Sequence, residues 1–274
     1  MVIRMSYGSE FILTLFTNDP GLAKAGDEAG INRIGIDLEQ IGKMDRQDPS
    51  KQWVSNHNIS DLSAISAVLS QAALFARTNP VHNGLHEEIN QLIGQGVRVL
   101  MLPMFRTVEE AATFIEFVDG RAIVSLLVET ASAAIRLPEI VKLPGIDEIH
   151  FGLNDMYLDM NLSNHFEILA SGFLDMLAGI VLEAGLPFGF AGIGRAKDDR
   201  LPMPPELIYA QYPRLGATRS LVARVFCSPD YRKLDLTREI ADARAAMDHW
   251  EQAGKKEQEA ALELLKRKTT NWVA

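Results

Sequence analysis

The chain has 274 residues and a mass of 30.3 kDa, with 27 Lys plus Arg against 36 Asp plus Glu for a formal charge of −9. That length can bury a large core as one α/β barrel or two smaller domains, and the acidic balance excludes non-specific attraction to nucleic acid or an anionic membrane surface. A single cysteine, Cys227, excludes an intrachain disulfide and a Cys-rich zinc site and fits a reducing, cytoplasmic compartment; residues 1–16 carry no secretory pattern, and no apolar run is long enough to span a bilayer.

In chain order, the run from Phe11 to Phe16 reads as a strand, and Asn18-Asp19-Pro20 supplies a cap and an N1 proline for a helix to about Ala29. A second strand runs from Arg33 to Glu39. The polar loop that follows, Gln40 to about Ser60, holds Lys43, Asp45, Arg46, Trp53 and His57 and is long for a βα connection, which marks it as a candidate functional loop. The pattern then repeats: helix from Asp61 to Ser70, strand from Ala73 to Arg77, helix from Leu85 to Gly94, strand from Val97 to Leu102, helix from Val108 to Val118.

A fifth strand from Ile123 ends at Glu129, a helix follows, and a sixth ends in the run Ile149 to Met156, which sets Glu129 and Asp155 one β-α step apart. In a parallel sheet, side chains at the carboxyl ends of neighbouring strands project into one crevice, and hard cations choose paired carboxylate oxygens. The remaining pattern predicts a helix from about His165 to Ala184, a strand from Pro187 to Phe190, a helix from Pro205 to Tyr212 and a strand from Leu221 to Phe226. Eight apolar, unalternating strands interleaved with helices predict a (β/α)8 TIM barrel over residues 1–230, with an open doubly wound sheet as the alternative. Residues 231–274 are helical and charged, with Leu236, Ile240, Ala243, Met247 and Trp250 at helical spacing; this extension is expected to pack on the barrel or on a neighbouring subunit.

Strand ends supply the sites of such barrels, and here they present Asp37 and Glu39, Arg77, Pro103, Glu129, then Asn154 and Asp155. The pieces Ile36-Asp37-Leu38-Glu39, Ala76-Arg77-Thr78-Asn79-Pro80, Val99 to Phe105 with Thr107-Val108-Glu109-Glu110-Ala111, Val128-Glu129-Thr130, and Pro144-Gly145-Ile146-Asp147 leading to Phe151-Gly152-Leu153-Asn154-Asp155 occur in one order. In that order they resemble the HpcH/HpaI aldolase and citrate lyase family of the phosphoenolpyruvate/pyruvate superfamily.

The resemblance implies a divalent ion (Mg2+, or Mn2+ or Co2+) held by Glu129 and Asp155, and an arginine, Arg77, that contacts the oxo-acid oxygen. It also implies a 2-oxo acid substrate, an aldolase-type lyase reaction through a pyruvate enolate, and a homo-oligomer. Breaking a C–C bond beside a carbonyl builds enolate charge, which a cation and a guanidinium can share. Backbone amides from Gly152, Leu153, Asn154 and Asp155 are candidates for the substrate carboxylate. At the position where the aldolase branch carries an acid–base histidine this chain has Gln40, which cannot titrate, and Leu127 stands where that branch tends to carry a glutamine. The candidate catalytic set is therefore Arg77, Glu39, Gln40 in the shuttle position, and His57 as a replacement base from the loop.

Each residue also has a plainer reading. Glu129 or Asp155 would serve as a surface or cap carboxylate, Asp37 and Glu39 as partners of Arg77 or Lys43, His57 as a solvated loop residue, His150 as barrel packing and Asp159 as a solvent-facing acid. The stretch Phe190 to Arg195 with Lys197 and Arg200 would bind phosphate or a coenzyme A tail, or be a glycine turn with solvated basic residues. A coenzyme A thioester lyase of the citrate lyase type and a non-catalytic metabolite-binding barrel are the alternative functions.

Overall fold

The computed structural model describes residues 5–42 and 55–271. Eight parallel strands, β1 (Ile12–Phe16), β2 (Arg33–Asp37), β3 (Ala73–Arg77), β4 (Val99–Leu102), β5 (Ile123–Val128), β6 (Glu148–Phe151), β7 (Phe188–Ile193) and β8 (Arg219–Val222), close into a barrel in sequence order. Closure is made where Ile12, Leu13 and Thr14 of β1 pair with Arg219, Ser220 and Leu221 of β8. Every residue of β2, β4 and β6 is buried, as a sheet covered on both faces requires.

One strand face points outward onto the helices, and the other fills the barrel with Phe75, Val99, Met101 and Leu127, flanked by Phe16 and Leu221. Gly35 lets β2 approach β3, because a Cβ there would stand 1.6 Å from the Phe75 carbonyl oxygen.

The helices are α1 (Tyr7–Glu10), α2 (Pro20–Glu28), α3 (Asp61–Ser66), α4 (Leu85–Gly94), α5 (Val108–Val118), α6 (Ala131–Ile140), α7 (Leu153–Asp159), α8 (Phe166–Ala170), α9 (Gly172–Glu183), α10 (Pro205–Tyr209), α11 (Gln211–Leu215), α12 (Leu236–Ala253) and α13 (Lys255–Thr270). Their starts are set by local chemistry. The Asp19 carboxylate accepts from the Gly21 amide at 2.8 Å, Thr107 and Glu110 form a reciprocal capping box on α5, and Thr130 Oγ1 accepts from the Ala133 amide at 3.1 Å.

The structure departs from the sequence pattern in several places. The run after Phe151 turns helical at Leu153, so Asp155 stands in the first turn of α7 and not on a strand. The helix expected from His165 to Ala184 is two helices, broken at Ser171, whose extended backbone (φ −97°, ψ 160°) and hydroxyl cap α9. The helix expected from Pro205 to Tyr212 is likewise split into α10 and α11, and the last strand stops at Val222, Arg224–Cys227 forming a 3-10 turn.

The carboxyl-terminal extension packs on its own barrel: α12 lies against α1, α2, α10 and α11, and α13 against α8, α10 and α11. Arg244 of α12 fastens it, donating to the carbonyls of Gly8 (2.6 Å), Phe11 (2.9 Å) and Gly30 (2.8 Å) and to Asn32 Oδ1 (3.0 Å). Among the described residues no helix is long and apolar enough to cross a membrane.

At the amino-terminal end of the barrel, Arg33 grips Glu148 through two bonds of 2.7 and 2.9 Å, and Arg219 donates to the same carboxylate. Two guanidiniums hold Glu148 below the usual carboxylate range although burial alone would raise it. His150, two residues further along β6, is buried, bonds the Ala191 carbonyl at 3.1 Å, and is pushed down to about 4 by burial, in keeping with a packing role.

Candidate active site

The carboxyl ends of β2, β3 and β5 and the β6–α7 joint bring Asp37, Glu39, Arg77, Glu129 and Asp155 to one end of the barrel. Arg77 is the hub. Its Nε donates to Asp37 Oδ1 and its Nη2 to Asp37 Oδ2, both at 2.8 Å, and Nη2 lies 3.0 Å from Glu39 Oε2. Asp37 and Glu39 are 1% and 0% exposed, so the guanidinium is fixed on two sides by carboxylates out of water. Both are thus partners of Arg77. The guanidinium also sits over the Phe16 ring, 5.4 Å from its centroid.

Glu129 follows directly on β5, whose last residue Val128 pairs with Phe151 of β6, which brings its carboxylate level with Gly152. A Cβ on Gly152 would stand 2.6 Å from Glu129 Oε2 and 2.7 Å from its Cβ, so glycine makes room for this side chain. Oε1 accepts from the Met104 amide at 3.0 Å. Met104 reaches it from a left-handed backbone (φ 55°), a conformation that costs a non-glycine residue about 1–2 kcal/mol.

The carboxyl of Glu129 is held well above the usual range: burial is the main cause, the charges of Asp155 and Glu39 add to it, and Arg77 and the Met104 amide offset it only in part. Asp155, whose Oδ1 is shielded from solvent, is therefore a direct electrostatic neighbour of Glu129.

The other residues singled out from sequence divide. Gly152 spends its amide on the Val128 carbonyl at 3.0 Å and cannot offer it to a ligand; the amides of Leu153, Asn154 and Asp155 open the first turn of α7, where no intrahelical acceptor exists. Gln40 is exposed, and its amide is held by Asn79 Oδ1 at 3.0 Å.

His57 accepts the Asp37 amide on Nδ1 at 3.0 Å, placing its ring beside the end of β2. Lys43, Asp45, Arg46 and Trp53 lie outside the described residues. Asp159 is an anchor: its carboxylate takes Arg106 Nη2 at 2.7 Å and the Ala131 amide at 2.8 Å.

The basic loop after β7 is fully committed. Arg195 donates to Asp198 at 2.5 Å and to the carbonyls of Phe226 and Ser228, Arg200 donates to Asp198 at 2.7 and 2.8 Å, and Lys197 pairs with Asp242 at 2.9 Å. Each of the three is thus engaged by an aspartate, Arg195 out of water and Lys197 and Arg200 at the surface, with side chains 69% and 65% exposed.

Ser55 and Arg224 were not apparent from sequence. Ser55 Oγ donates to Asp37 Oδ2 at 2.6 Å and accepts from Arg224 Nη2 at 3.0 Å. Arg224 lies inside the apolar run Leu221–Phe226, whose pattern predicts strand; because β8 ends at Val222, the arginine stands just past a strand end, as Arg77 stands at one.

A closed eight-stranded parallel barrel with carboxylates and an arginine gathered at its carboxyl end defines a barrel of the kind that hosts small-molecule chemistry. The chain belongs to the HpcH/HpaI aldolase/citrate lyase family, whose sequence profile matches residues 12–171. Membership supports an enzyme with lyase-type activity.

Three solved structures share the fold. An HpcH/HpaI aldolase from Desulfitobacterium hafniense DCB-2 has 14% identity and a TM-score of 0.60, covering 79% of this chain and 86% of its own. A family protein from Burkholderia cenocepacia J2315 has 16% identity and a TM-score of 0.60, covering 88% and 95%. The citrate synthase SbnG has 14% identity and a TM-score of 0.59, again covering 88% and 95%. No curated protein matches the sequence.

Proposed function

We propose that this chain is a divalent-metal-dependent carbon–carbon lyase that acts on a 2-oxo acid through a pyruvate enolate. The observation that supports it is the crowding around Glu129: buried, and facing the charges of half-buried Asp155 and buried Glu39, its carboxyl is held well above the usual range, in a site that a cation would relieve. Among the described residues no group of three or more His, Cys, Asp or Glu surrounds a common point. Two carboxylates nonetheless suit Mg2+, which keeps waters and substrate oxygens in its shell and takes only one or two carboxylates from a protein. Glu129 and Asp155 would hold Mg2+, with Mn2+ or Co2+ as substitutes, and the oxygen-only donor set discriminates weakly among them. When bound, the ion supplies positive charge that stabilises an enolate.

The chain's own residues do the rest. Arg77, tethered through Nε and Nη2, has Nη1 without an acceptor among the described residues and would donate it to the oxo-acid oxygen. Glu39 and Asp37 hold that guanidinium so that no reorientation is needed as charge develops. The amides of Leu153, Asn154 and Asp155 would receive the substrate carboxylate. Gln40 would donate or accept a hydrogen bond without moving a proton. His57, accepting on Nδ1, carries its proton on Nε2 in the neutral ring and is therefore poised as an acid that returns a proton to an enolate.

The assembly is proposed to be a homo-oligomer. Ile135 (75% exposed) on α6 and Met176 (53%) and Leu182 (47%) on α9 support this, the two helices packing side by side; sedimentation velocity reads it directly.

The test needs no knowledge of the natural substrate. Exchange of the pyruvate methyl protons in heavy water with Mg2+ or Mn2+ present is expected for the native protein and should fall about 1,000-fold in Glu129→Gln, matching loss of several kcal/mol of enolate stabilisation. An unchanged exchange rate in that variant would falsify the proposal, and absence of exchange in the native protein would favour a metabolite-binding barrel.

A further inference from the structure

The Asp37 carboxylate accepts four hydrogen bonds from three separate residues. Oδ1 accepts from Arg77 Nε at 2.8 Å and the Glu39 amide at 3.2 Å; Oδ2 accepts from Arg77 Nη2 at 2.8 Å and the Ser55 hydroxyl at 2.6 Å. Ser55 is only 7% exposed, and its hydroxyl both donates to Asp37 and accepts from Arg224 Nη2 at 3.0 Å. Arg224 stands two residues past β8, which is separated from β2 by β1, so this chain of bonds runs across one side of the barrel mouth. Arg224 is also close enough to feel the charges of both Asp37 and Arg77.

A serine used in this way transmits orientation. Its one proton goes to Asp37 while a lone pair accepts from Arg224, so Arg224 orients and polarises the hydroxyl, and Asp37 in turn sets the plane of the Arg77 guanidinium through a two-bond fork. The same bond moors the far end of the β2–α3 connection to the end of β8.

We propose that Arg224 is a positioning residue for Arg77. Acting through Ser55 and Asp37, it fixes the guanidinium that meets the oxo-acid substrate. The substrate half of this statement rests on the reading of Arg77 given above; the positioning half does not.

The experiment separates the two. The Arg77 Nε–H, donated to a buried carboxylate, gives a slowly exchanging side-chain resonance identified by its disappearance in Arg77→Lys. In ligand-free protein that resonance is expected to shift or broaden in both Ser55→Ala and Arg224→Ala, with the double variant no worse than the more perturbed single. Arg224→Lys, which keeps the charge but lacks the planar guanidinium that reaches Ser55, should restore melting behaviour more fully than it restores the resonance.

With pyruvate as probe, KM for methyl exchange should rise about tenfold in Arg224→Ala, with a smaller change in kcat, as expected when a binding group is misoriented. An Arg77 resonance unmoved in Ser55→Ala and Arg224→Lys overturns the proposal whatever happens to activity. A resonance that moves in protein showing no pyruvate exchange upholds the positioning role and removes only the substrate assignment.

Discussion

Two buried glutamates at opposite ends of one barrel are treated in opposite ways. Burial raises the proton affinity of both, and what surrounds them decides the outcome. At the amino-terminal end, Arg33 and Arg219 close on Glu148 and hold its carboxyl below the ordinary range. At the carboxyl-terminal end, Asp155 and Glu39 reinforce the burial of Glu129, Arg77 compensates only in part because it is already shared with Asp37 and Glu39, and the carboxyl stays well above that range. One end is electrically finished by the protein itself; the other, on the proposed reading, is completed by a bound cation. That reading divides stability and chemistry between the two ends, as barrels of this class divide them.

The sharpest way to break the comparison is to make the finished end unfinished. Glu148→Ala strands Arg33 and Arg219 without their common anion and should cost about 3–5 kcal/mol in urea unfolding, as loss of one partner from a buried pair does. Glu129→Gln, by contrast, should leave the cation-free protein as stable as before or more so, since it removes a charge the fold opposes. Equal losses in the two variants would dissolve the distinction.

The second way is pH. Glu148 and His150 both have lowered proton affinity, so the stability they confer is present above the ordinary values of 4.5 and 6.5 and is lost as pH falls through their folded values. Between pH 6.5 and about 4, His150 alone should account for a loss of about 3 kcal/mol, and half-buried His165, also pushed down to about 4, adds to it. Glu129 works the other way: its contribution is complete below the ordinary carboxylate range and is lost as pH rises through its raised folded value. A His150→Gln variant should flatten the acid limb of the stability curve, and Glu129→Gln should flatten the alkaline-going decline. The reverse assignment of the two limbs would contradict the account.

A smaller effect is expected at Gly152. An added methyl would stand 2.6 Å from Glu129 Oε2, so Gly152→Ala must displace that carboxylate, at a cost of about 1–3 kcal/mol typical of overpacking. Divalent-cation affinity should weaken by about tenfold at the same time, an outcome-level loss comparable with that of a misplaced ligand shell.

The barrel was legible in the sequence because parallel strands buried on both faces leave unalternating apolar runs; those at Ala73–Arg77 and the helices at Leu85–Gly94 and Val108–Val118 match residue for residue. Breaks made by single backbone torsions were not. Nothing in the apolar pattern from His165 to Ala184 announces the extended backbone of Ser171, and the run through Phe226 conceals the turn that starts at Arg224.

At the site, strand ends named Glu129, Asp155 and Arg77, and the family motifs ordered them. The sequence could not show that Gly152 would spend its amide on Val128, that Arg195, Lys197 and Arg200 would each find an aspartate, or that Arg224 would reach Ser55 from 169 residues away. The pairings of Arg224 with Ser55 and of Lys197 with Asp242 are outcomes of the tertiary fold, while those of Arg195 and Arg200 with Asp198 are local turns that apolar patterning does not encode.

The most direct measurement is calorimetric titration of Mn2+ at pH 7.5, with and without saturating pyruvate, into the native protein, Glu129→Gln and Asp155→Asn. The account predicts stoichiometric binding to the native chain, tightened by pyruvate and accompanied by proton release, and a loss of about 100-fold or more in affinity in each variant. Undiminished Mn2+ affinity in both variants would contradict it, because the crowded carboxylates would then have no cation to await.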